Sequence, residues 1–248
     1  MTILSYIAVG FIAEMIDGTL GMAYGVSCRT FIKTFTSVPP EIISPIIHYA
    51  EIPTTFVSMI SHIRYKNVDK KIFVNLLVSG VIGGFLGAYV ISLKLNLIEF
   101  FVNIYLIIMG GIIIFKSFRK INSSFFENKI WIKFIGFIAS FLDAIGGGGW
   151  GPITTSNLLS TDMPAKKVIG TVNSAEFFVT LSSSLGFILF ILNIKNYLLV
   201  IVGLIIGGVF AAPLSVKLCQ KISNEKLCLF IGIILIVLNV YNCILFFR

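Results

Sequence analysis

Residues 10–25 read GFIAEMIDGTLGMAYG, and residues 136–151 read GFIASFLDAIGGGGWG. At a constant offset of 126 residues, the two stretches share Gly-Phe-Ile-Ala, an aspartate and two later glycines. In each, an apolar run of about four helical turns stops at the aspartate, Asp17 or Asp143, and continues through glycine-rich sequence. Glycine permits sharp turns and close approach of backbones. The repeat therefore predicts one broken helical segment in each half of the chain.

The correspondence between the halves extends beyond the glycine-rich stretches. The sequence HYAE at 48–51 aligns with NSAE at 173–176, an offset of 125 residues. An offset that stays nearly constant over such a distance indicates duplication of a whole unit. We therefore expect two homologous membrane repeats, residues 1–124 and 125–248, integrated into one transport domain.

Composition places these repeats in a membrane. Of the 248 residues, 57% are hydrophobic and only 12% are charged, and the mean hydropathy is +0.99, well outside the range of soluble domains. Runs of about 20 apolar residues, the length that crosses a bilayer core, predict spans near 42–63, 72–93, 97–115, 168–192, 196–218 and 227–247. The expected fold is an all-α integral membrane protein, with no loop long enough for a soluble domain.

Two arrangements of the broken segments, residues 2–36 and 130–162, are compatible with the sequence. If both cross fully, eight crossings result, and Lys and Arg divide 11 against 8 between the two sides. If each enters and returns as a re-entrant hairpin, the division is 14 against 5, which fits the positive-inside rule better. We favour hairpins, with three transmembrane helices per half. The odd number inverts one half relative to the other and puts both termini outside. Eight full crossings stay open.

The glycine-rich breaks are candidate binding loops. A half-helix that starts in such a loop directs unpaired N–H groups and a positive dipole end toward a ligand, which suits an anion. The alternative is that the glycines only let helices pack closely. The candidate substrate-binding residues are Gly18, Gly21, Tyr24, Gly25, Gly147, Gly148, Gly149 and Trp150, with His48 and Asn173 from the second motif.

Acidic residues lie inside the apolar segments at matched positions. An ionised carboxylate at the centre of a span costs at least ~2.5 kcal/mol on insertion scales, so Glu51 and Glu176 are predicted to line the site or relay protons. The alternative is a structural pair that hydrogen-bonds the broken helices. Asp17 and Asp143 precede the breaks, which favours capping of the following half-helix over cation or proton binding.

His48 lies three residues before Glu51, so on a helix both side chains share one face. A buried histidine either satisfies a hydrogen bond or takes part in proton coupling, and both interpretations stay open. Asn173, at the matching place before Glu176, can only hydrogen-bond. The two walls of a cavity between the halves would then carry matching polar groups.

Several classes of function are disfavoured. The net charge of +8 comes from Lys and Arg in short loops, where they orient the protein and contact anionic lipid rather than nucleic acid. The four cysteines match no metal-ligand spacing. The sequence has no HExxH or GxSxG motif, so we expect no enzyme activity, no cofactor and no metal site.

The motifs at 17–25, 48–51 and 146–152 resemble the sulfite exporter TauE/SafE family across both halves. The resemblance implies a bacterial-type inner-membrane permease, with about eight hydrophobic segments, for sulfite, sulfonates or related organic anions. Residue by residue, it assigns the binding loops to Gly18, Gly21, Gly25, Gly147, Gly149 and Gly151, and the polar motif to His48, Glu51, Asn173 and Glu176. The first loop departs from the family's glycine run at residues 22–24, which read Met-Ala-Tyr.

The leading hypothesis is a secondary transporter for a small anion such as a sulfur oxyanion. It would work by alternating access around a midplane site between the repeats, with proton or membrane-potential coupling. The alternative is a cation transporter or channel with an acidic pathway formed by Glu14, Asp17, Glu51, Asp143 and Glu176. The expected partners are the small anion and the bilayer, and the sequence leaves a homo-oligomer open.

Overall fold

A computed structural model of the chain describes residues 2–90, 128–161, 163–190 and 195–246, with isolated helical positions between 104 and 118. Over these residues the chain is helical between short turns, which confirms the all-α prediction for this part. The helices are α1 Ile3–Leu20, α2 Tyr24–Phe35, α3 Pro40–Arg64, α4 Lys70–Val90, α5 Lys129–Gly146, α6 Trp150–Leu159, α7 Ala165–Phe190, α8 Leu198–Lys221 and α9 Asn224–Phe246, with a 3₁₀ turn at Lys195–Tyr197. The predicted span 97–115 lies largely outside the described residues.

Four segments of the described chain are long and apolar enough to cross a membrane: Ile3–Leu20, Lys70–Val90, Ala165–Leu189 and Lys195–Lys221. Large apolar side chains are exposed on the outer helices, among them Tyr89 at 61%, Phe210 at 69% and Val237 at 59%. An apolar surface of this kind is compatible with lipid rather than water. The protein is therefore a multi-pass membrane protein.

Both breaks occur where the sequence predicts them, but the helices before them are longer than expected. α1 and α5 continue for three residues past Asp17 and Asp143. Each then ends at a left-handed glycine, Gly21 with φ 74° or Gly147 with φ 70°, whose N–H donates to the aspartate carbonyl four residues earlier at 2.5 Å. Glycine is the residue that adopts this C-cap without strain, so the glycine rather than the aspartate ends the helix.

The chain reverses direction at the first break. The ring of Phe31 in α2 lies 6.4 Å from the ring of Tyr6 in α1. If α2 continued the direction of α1, these residues would be about 37 Å apart at the helical rise. α1 and α2 therefore form a helical hairpin.

The second break reverses the chain as well. Gly83 packs on Phe137 and Gly87 on Phe141, so α4 and α5 run in the same direction. α4 also runs parallel to α7, since successive glycines of α4 meet successive residues of α7. Because α5 and α7 share one direction, the chain between them must return along α6.

The hairpins and the fourth helix of each half pack reciprocally. α1 lies along α8, with Gly10 against Leu204 and Gly18 against Ser215, while α5 lies along α4. These close contacts depend on small residues, as is common between membrane helices. α3 and α7 lie between the two hairpins and cross in opposite directions, because Tyr49 meets Ser184 whereas Ser58, further along α3, meets Asn173, which lies earlier in α7.

Candidate functional site

The two breaks contact each other backbone to backbone. A Cβ atom at Gly25 would lie 2.7 Å from both the carbonyl oxygen of Gly147 and the Cα of Gly148. A Cβ at Gly151 would lie 2.8 Å from the Cα of Met22. Contacts this short exclude side chains larger than hydrogen, so the glycines bring the two hairpin tips together at one place.

A small cavity lies at this junction. It contains about 180 Å³ of empty space, including its mouth. Its walls combine the start of both half-helices with four carboxyl groups. The lining residues are Asp17, Ala23, Tyr24, Gly25, Val26, Glu51, Asp143, Gly148, Gly151, Pro152 and Glu176.

Two helix N-termini belong to the cavity wall. The N–H groups of Gly25 and Val26 in α2 and of Gly151 in α6 are in the first helical turn, so they have no acceptor within their own helix. These three residues line the cavity. The dipoles of α2 and α6 add positive potential there. The N–H groups can therefore donate hydrogen bonds to the oxygen atoms of a small anion.

Asp17 and Asp143 make the capping contacts that the sequence favours. The Asp17 carboxylate accepts a hydrogen bond from the Tyr24 N–H at 3.3 Å. The Asp143 carboxylate accepts one from the Gly149 N–H at 2.7 Å. Each carboxylate thereby holds the start of its half-helix in place and also borders the cavity.

His48 forms a buried pair with Asp143 across the two halves. Its Nδ1 lies 2.9 Å from the Ser44 carbonyl, which can only accept, so Nδ1 carries a proton. Its Nε2 lies 3.1 Å from Asp143 Oδ2. One proton must lie between these two atoms, on the histidine as an ion pair or on the carboxyl group as a neutral pair. The pair is therefore a place where a proton can be held beside the cavity.

The matching position on the other side lacks this pair. Asn173 Nδ2 lies 3.3 Å from the Ser58 hydroxyl and 3.5 Å from the Asp17 carbonyl, not from the Asp17 carboxylate. An amide cannot supply a positive charge. The two aligned positions, His48 and Asn173, therefore differ in their capacity to carry charge.

Glu51 lies near the centre of α3, and Glu176 lies near the centre of α7. Both are buried, at 3% and 5% exposure, and both line the cavity. Glu176 Oε2 has no hydrogen-bond partner in the described part of the chain. A buried carboxyl oxygen without a partner is costly, so Glu176 has an unused position for a hydrogen bond beside the cavity.

Some candidate residues lie beside the cavity rather than in its wall. Trp150 is fully buried, packs on Gly80 and donates from Nε1 to the Val172 carbonyl at 3.3 Å. Gly18 packs against Ser215, the helix-packing role given above as the alternative. Gly21, Gly147 and Gly149 form the turns. His48 and Asn173 do not line the cavity, but each contacts an aspartate that does.

The cavity wall also includes Ala23, Val26 and Pro152, which the sequence reasoning did not single out. Ala23 has φ 90°, a left-handed conformation that is uncommon for residues with a Cβ. Gly25 and Gly151 align at the offset of 126 residues, so the residues that follow them, Val26 and Pro152, could have been predicted as wall positions as well. Among the described residues, no group of three or more His, Cys, Asp or Glu side chains is placed to hold a metal ion.

Comparison with known proteins gives consistent results. Residues 6–242 match the family described as "Sulfite exporter TauE/SafE". The chain is 35% identical over 239 residues to the probable membrane transporter protein YtnM of Bacillus subtilis, covering 93% of this chain and 79% of that protein. A probable membrane transporter protein of Haemophilus influenzae is 48% identical over 54 residues, 22% of this chain and 21% of the relative. No solved structure matches significantly.

Proposed function

Because this chain belongs to the sulfite exporter TauE/SafE family of membrane transporters, we propose that it is a secondary permease for a small anion. The observation that carries the proposal is the junction of two half-helix N-termini at one cavity. Gly25, Val26 and Gly151 line it from the first turns of their helices, and the close contact of Gly25 with Gly147 and Gly148 brings the two breaks together. N–H groups with this arrangement bind oxyanions well.

In this proposal the substrate is a sulfur oxyanion, sulfite above all. Its several oxygen atoms can accept hydrogen bonds from two helix starts at once. A halide, which is a single atom, makes these two sets of hydrogen bonds less well. Small organosulfonates belong to the same class because they present the same oxygen face.

Transport is coupled to protons in this proposal. Asp17, Glu51, Asp143 and Glu176 surround the site, and ionised carboxylates would repel an entering anion in a medium of low dielectric constant. Protons bound at Glu51, Glu176 and the His48–Asp143 pair remove that repulsion. Anion and protons would therefore bind together and leave together.

Alternating access follows from the arrangement of the halves. We propose that residues 1–124 and 125–248 are inverted repeats in the inner cell membrane, with the breaks re-entrant and the site at the midplane between them. The opposite directions of α3 and α7 and the reciprocal packing of the hairpins support this proposal. Rocking of one half against the other would expose the site to each side in turn.

The inverted arrangement predicts that both termini face the outside. A reporter fused to the C-terminus that is active only in the cytoplasm is expected to stay silent, while a reporter active only outside gives signal. A second fusion in the loop after Arg64, which carries basic residues, should show the reverse pattern. Strong cytoplasmic activity of the C-terminal fusion would contradict the arrangement.

A second candidate function is cation transport. The specific observation that favours it is the set of four carboxyl groups in the cavity wall, to which no Lys or Arg contributes among the described lining residues. In that case the carboxylates would bind the cargo directly. The helix N-termini would then be occupied only by Asp17 and Asp143.

Ligand-dependent thermal stability separates the two functions. The detergent-purified protein is heated with sulfite, sulfate, thiosulfate, small sulfonates, small carboxylates or divalent cations. A ligand at about 100 times its Kd stabilises the state it binds by about 2.7 kcal/mol, which corresponds to a rise in Tm of roughly 5 to 11 °C. We expect this rise with sulfur oxyanions. A rise with divalent cations alone would contradict anion binding and favour the second candidate.

A further inference from the structure

A second buried polar cluster lies behind the cavity, between α1, α3, α7 and α8. It comprises Glu14, Ser58, Asn173 and Ser215, each at most 2% exposed. The Glu14 carboxyl group faces the Ser58 hydroxyl, and Ser58 is in turn 3.3 Å from Asn173 Nδ2. None of these four residues belongs to the cavity wall. The cluster therefore needs an explanation apart from the anion site.

Oxygen atoms in the cluster have spare capacity to accept. In the described part of the chain, Glu14 Oε1 and Asn173 Oδ1 have no hydrogen-bond partner. The Ser215 hydroxyl donates its proton to the Ala212 carbonyl at 2.8 Å, so its lone pairs point elsewhere. Glu14 Oε1 and Ser215 Oγ both lie within 3 Å of the point where a Cβ on Gly18 would stand. Two oxygen atoms that can accept, Glu14 Oε1 and Ser215 Oγ, therefore lie close together where α1 carries no side chain.

The neighbouring histidine supplies no positive charge to this region. His62 lies one helical turn beyond Ser58 on α3, close to the Gly18 backbone. Its Nδ1 is 3.2 Å from the Asn67 amide nitrogen, which only donates, so Nδ1 is unprotonated and the ring is neutral. Glu14 and the nearby Asp17 thus face a neutral imidazole, an amide and hydroxyls.

The matching positions around Asp143 supply a direct comparison. The residue aligned with Glu14 is Ser140, and the residue aligned with Asn173 is His48, which pairs with Asp143. Asp143 thus has a histidine as its partner, whereas Asn173, beside Asp17, is an amide that cannot carry a positive charge. The surroundings of Asp17 therefore contain one more carboxyl group, Glu14, and no equivalent of His48.

We propose that a sodium ion binds at this cluster, held by Glu14 with the oxygens of Ser58, Asn173 and Ser215. One carboxylate with neutral oxygens suits a monovalent ion, whereas Ca²⁺ sites use several carboxylates and Mg²⁺ keeps its waters. The site adjoins the C-terminal end of α1, whose dipole is negative, and helix ends of this kind bind Na⁺ in other transporters. Sodium binding at this cluster is distinct from anion binding at the cavity and can be measured without any anion substrate.

The test compares Tm of the full-length purified protein in sodium chloride, potassium chloride and choline chloride at equal ionic strength. At about ten times its Kd, Na⁺ is expected to raise Tm by roughly 3 to 6 °C relative to choline, with a smaller shift in K⁺. Equal Tm in sodium and choline would overturn the proposal, and it would leave the anion-dependent shifts of the proposed function measurable in the same preparation.

Variants connect the shift to the cluster. Glu14→Gln is expected to remove the Na⁺ shift, while Glu41→Gln, at an exposed position of α3, retains it. If Glu14→Gln does not fold, Ser215→Ala is tested in its place. In that variant, the Na⁺ concentration that gives half of the Tm shift is expected to rise about fivefold or more. A wild-type Na⁺ response in both cluster variants would show that the ion binds elsewhere and would overturn the site.

Discussion

Replacing Glu51 and Glu176 together with glutamine is expected to reduce proton-driven anion uptake by about 100-fold or more, the usual scale for loss of positioned proton-transferring groups. Both carboxyl groups line the cavity, and glutamine keeps their shape but cannot exchange a proton. Uptake is measured in proteoliposomes with an imposed proton gradient and the anion that stabilises the protein most. Uptake at the wild-type rate would contradict proton coupling through these residues.

The matched control for this double variant is Glu41→Gln with Glu225→Gln. Both of these glutamates are exposed at helix starts, so their replacement should leave uptake within about twofold of wild type. The cavity variant should fold, because removing two charges from apolar segments lowers the cost of insertion. A Tm at or above the wild-type value, together with lost uptake, would separate mechanism from stability.

The variant Gly25→Ala is expected to have the second largest effect. Its Cβ would meet backbone atoms of Gly147 and Gly148 at 2.7 Å, and backbone in a packed turn cannot move aside as a flexible side chain can. Overpacking of this kind costs about 1–3 kcal/mol, which lowers Tm by roughly 2 to 12 °C. Because the clash separates the hairpin tips at the cavity, we expect anion-dependent stabilisation to be lost as well.

Gly111→Ala is the control for Gly25→Ala, since a Cβ there meets no atom of the described residues within 4 Å. The same chemical change should be neutral or slightly stabilising at that helical position. Thermal unfolding with and without sulfite gives both readings in one experiment. If Gly25→Ala behaves as Gly111→Ala does, the close contact between the breaks is not needed for binding.

Much of the fold was predictable because membrane helices are encoded locally. Long apolar runs predict α4, α7 and α8, and the repeated glycines predict the breaks between α1 and α2 and between α5 and α6. The prediction was wrong about where α1 and α5 end. The aspartates looked like stop signals, but their side chains reach forward to Tyr24 and Gly149, so the helix continues to the next glycine.

The candidate site was predictable in part. The matched positions of Glu51 and Glu176 indicated a shared site, and both line the cavity. Trp150 was expected to bind substrate, yet its side chain packs on Gly80 and points to Val172. The sequence position of a residue shows that it lies on a loop, but it does not show where its side chain points. That direction depends on the rotamer that the surrounding helices permit.

By itself, the sequence determined the class of protein, the repeat, the position of the breaks and the burial of paired carboxyl groups. All of these follow from composition and spacing, since lipid requires apolar helices and glycine permits turns. Only the tertiary structure decided the partners. It joined His48 to Asp143 across 95 residues, set Asn173 beside Ser58 and brought Gly25 against Gly148. Such contacts depend on the packing of helices far apart in the chain, and no local pattern specifies them.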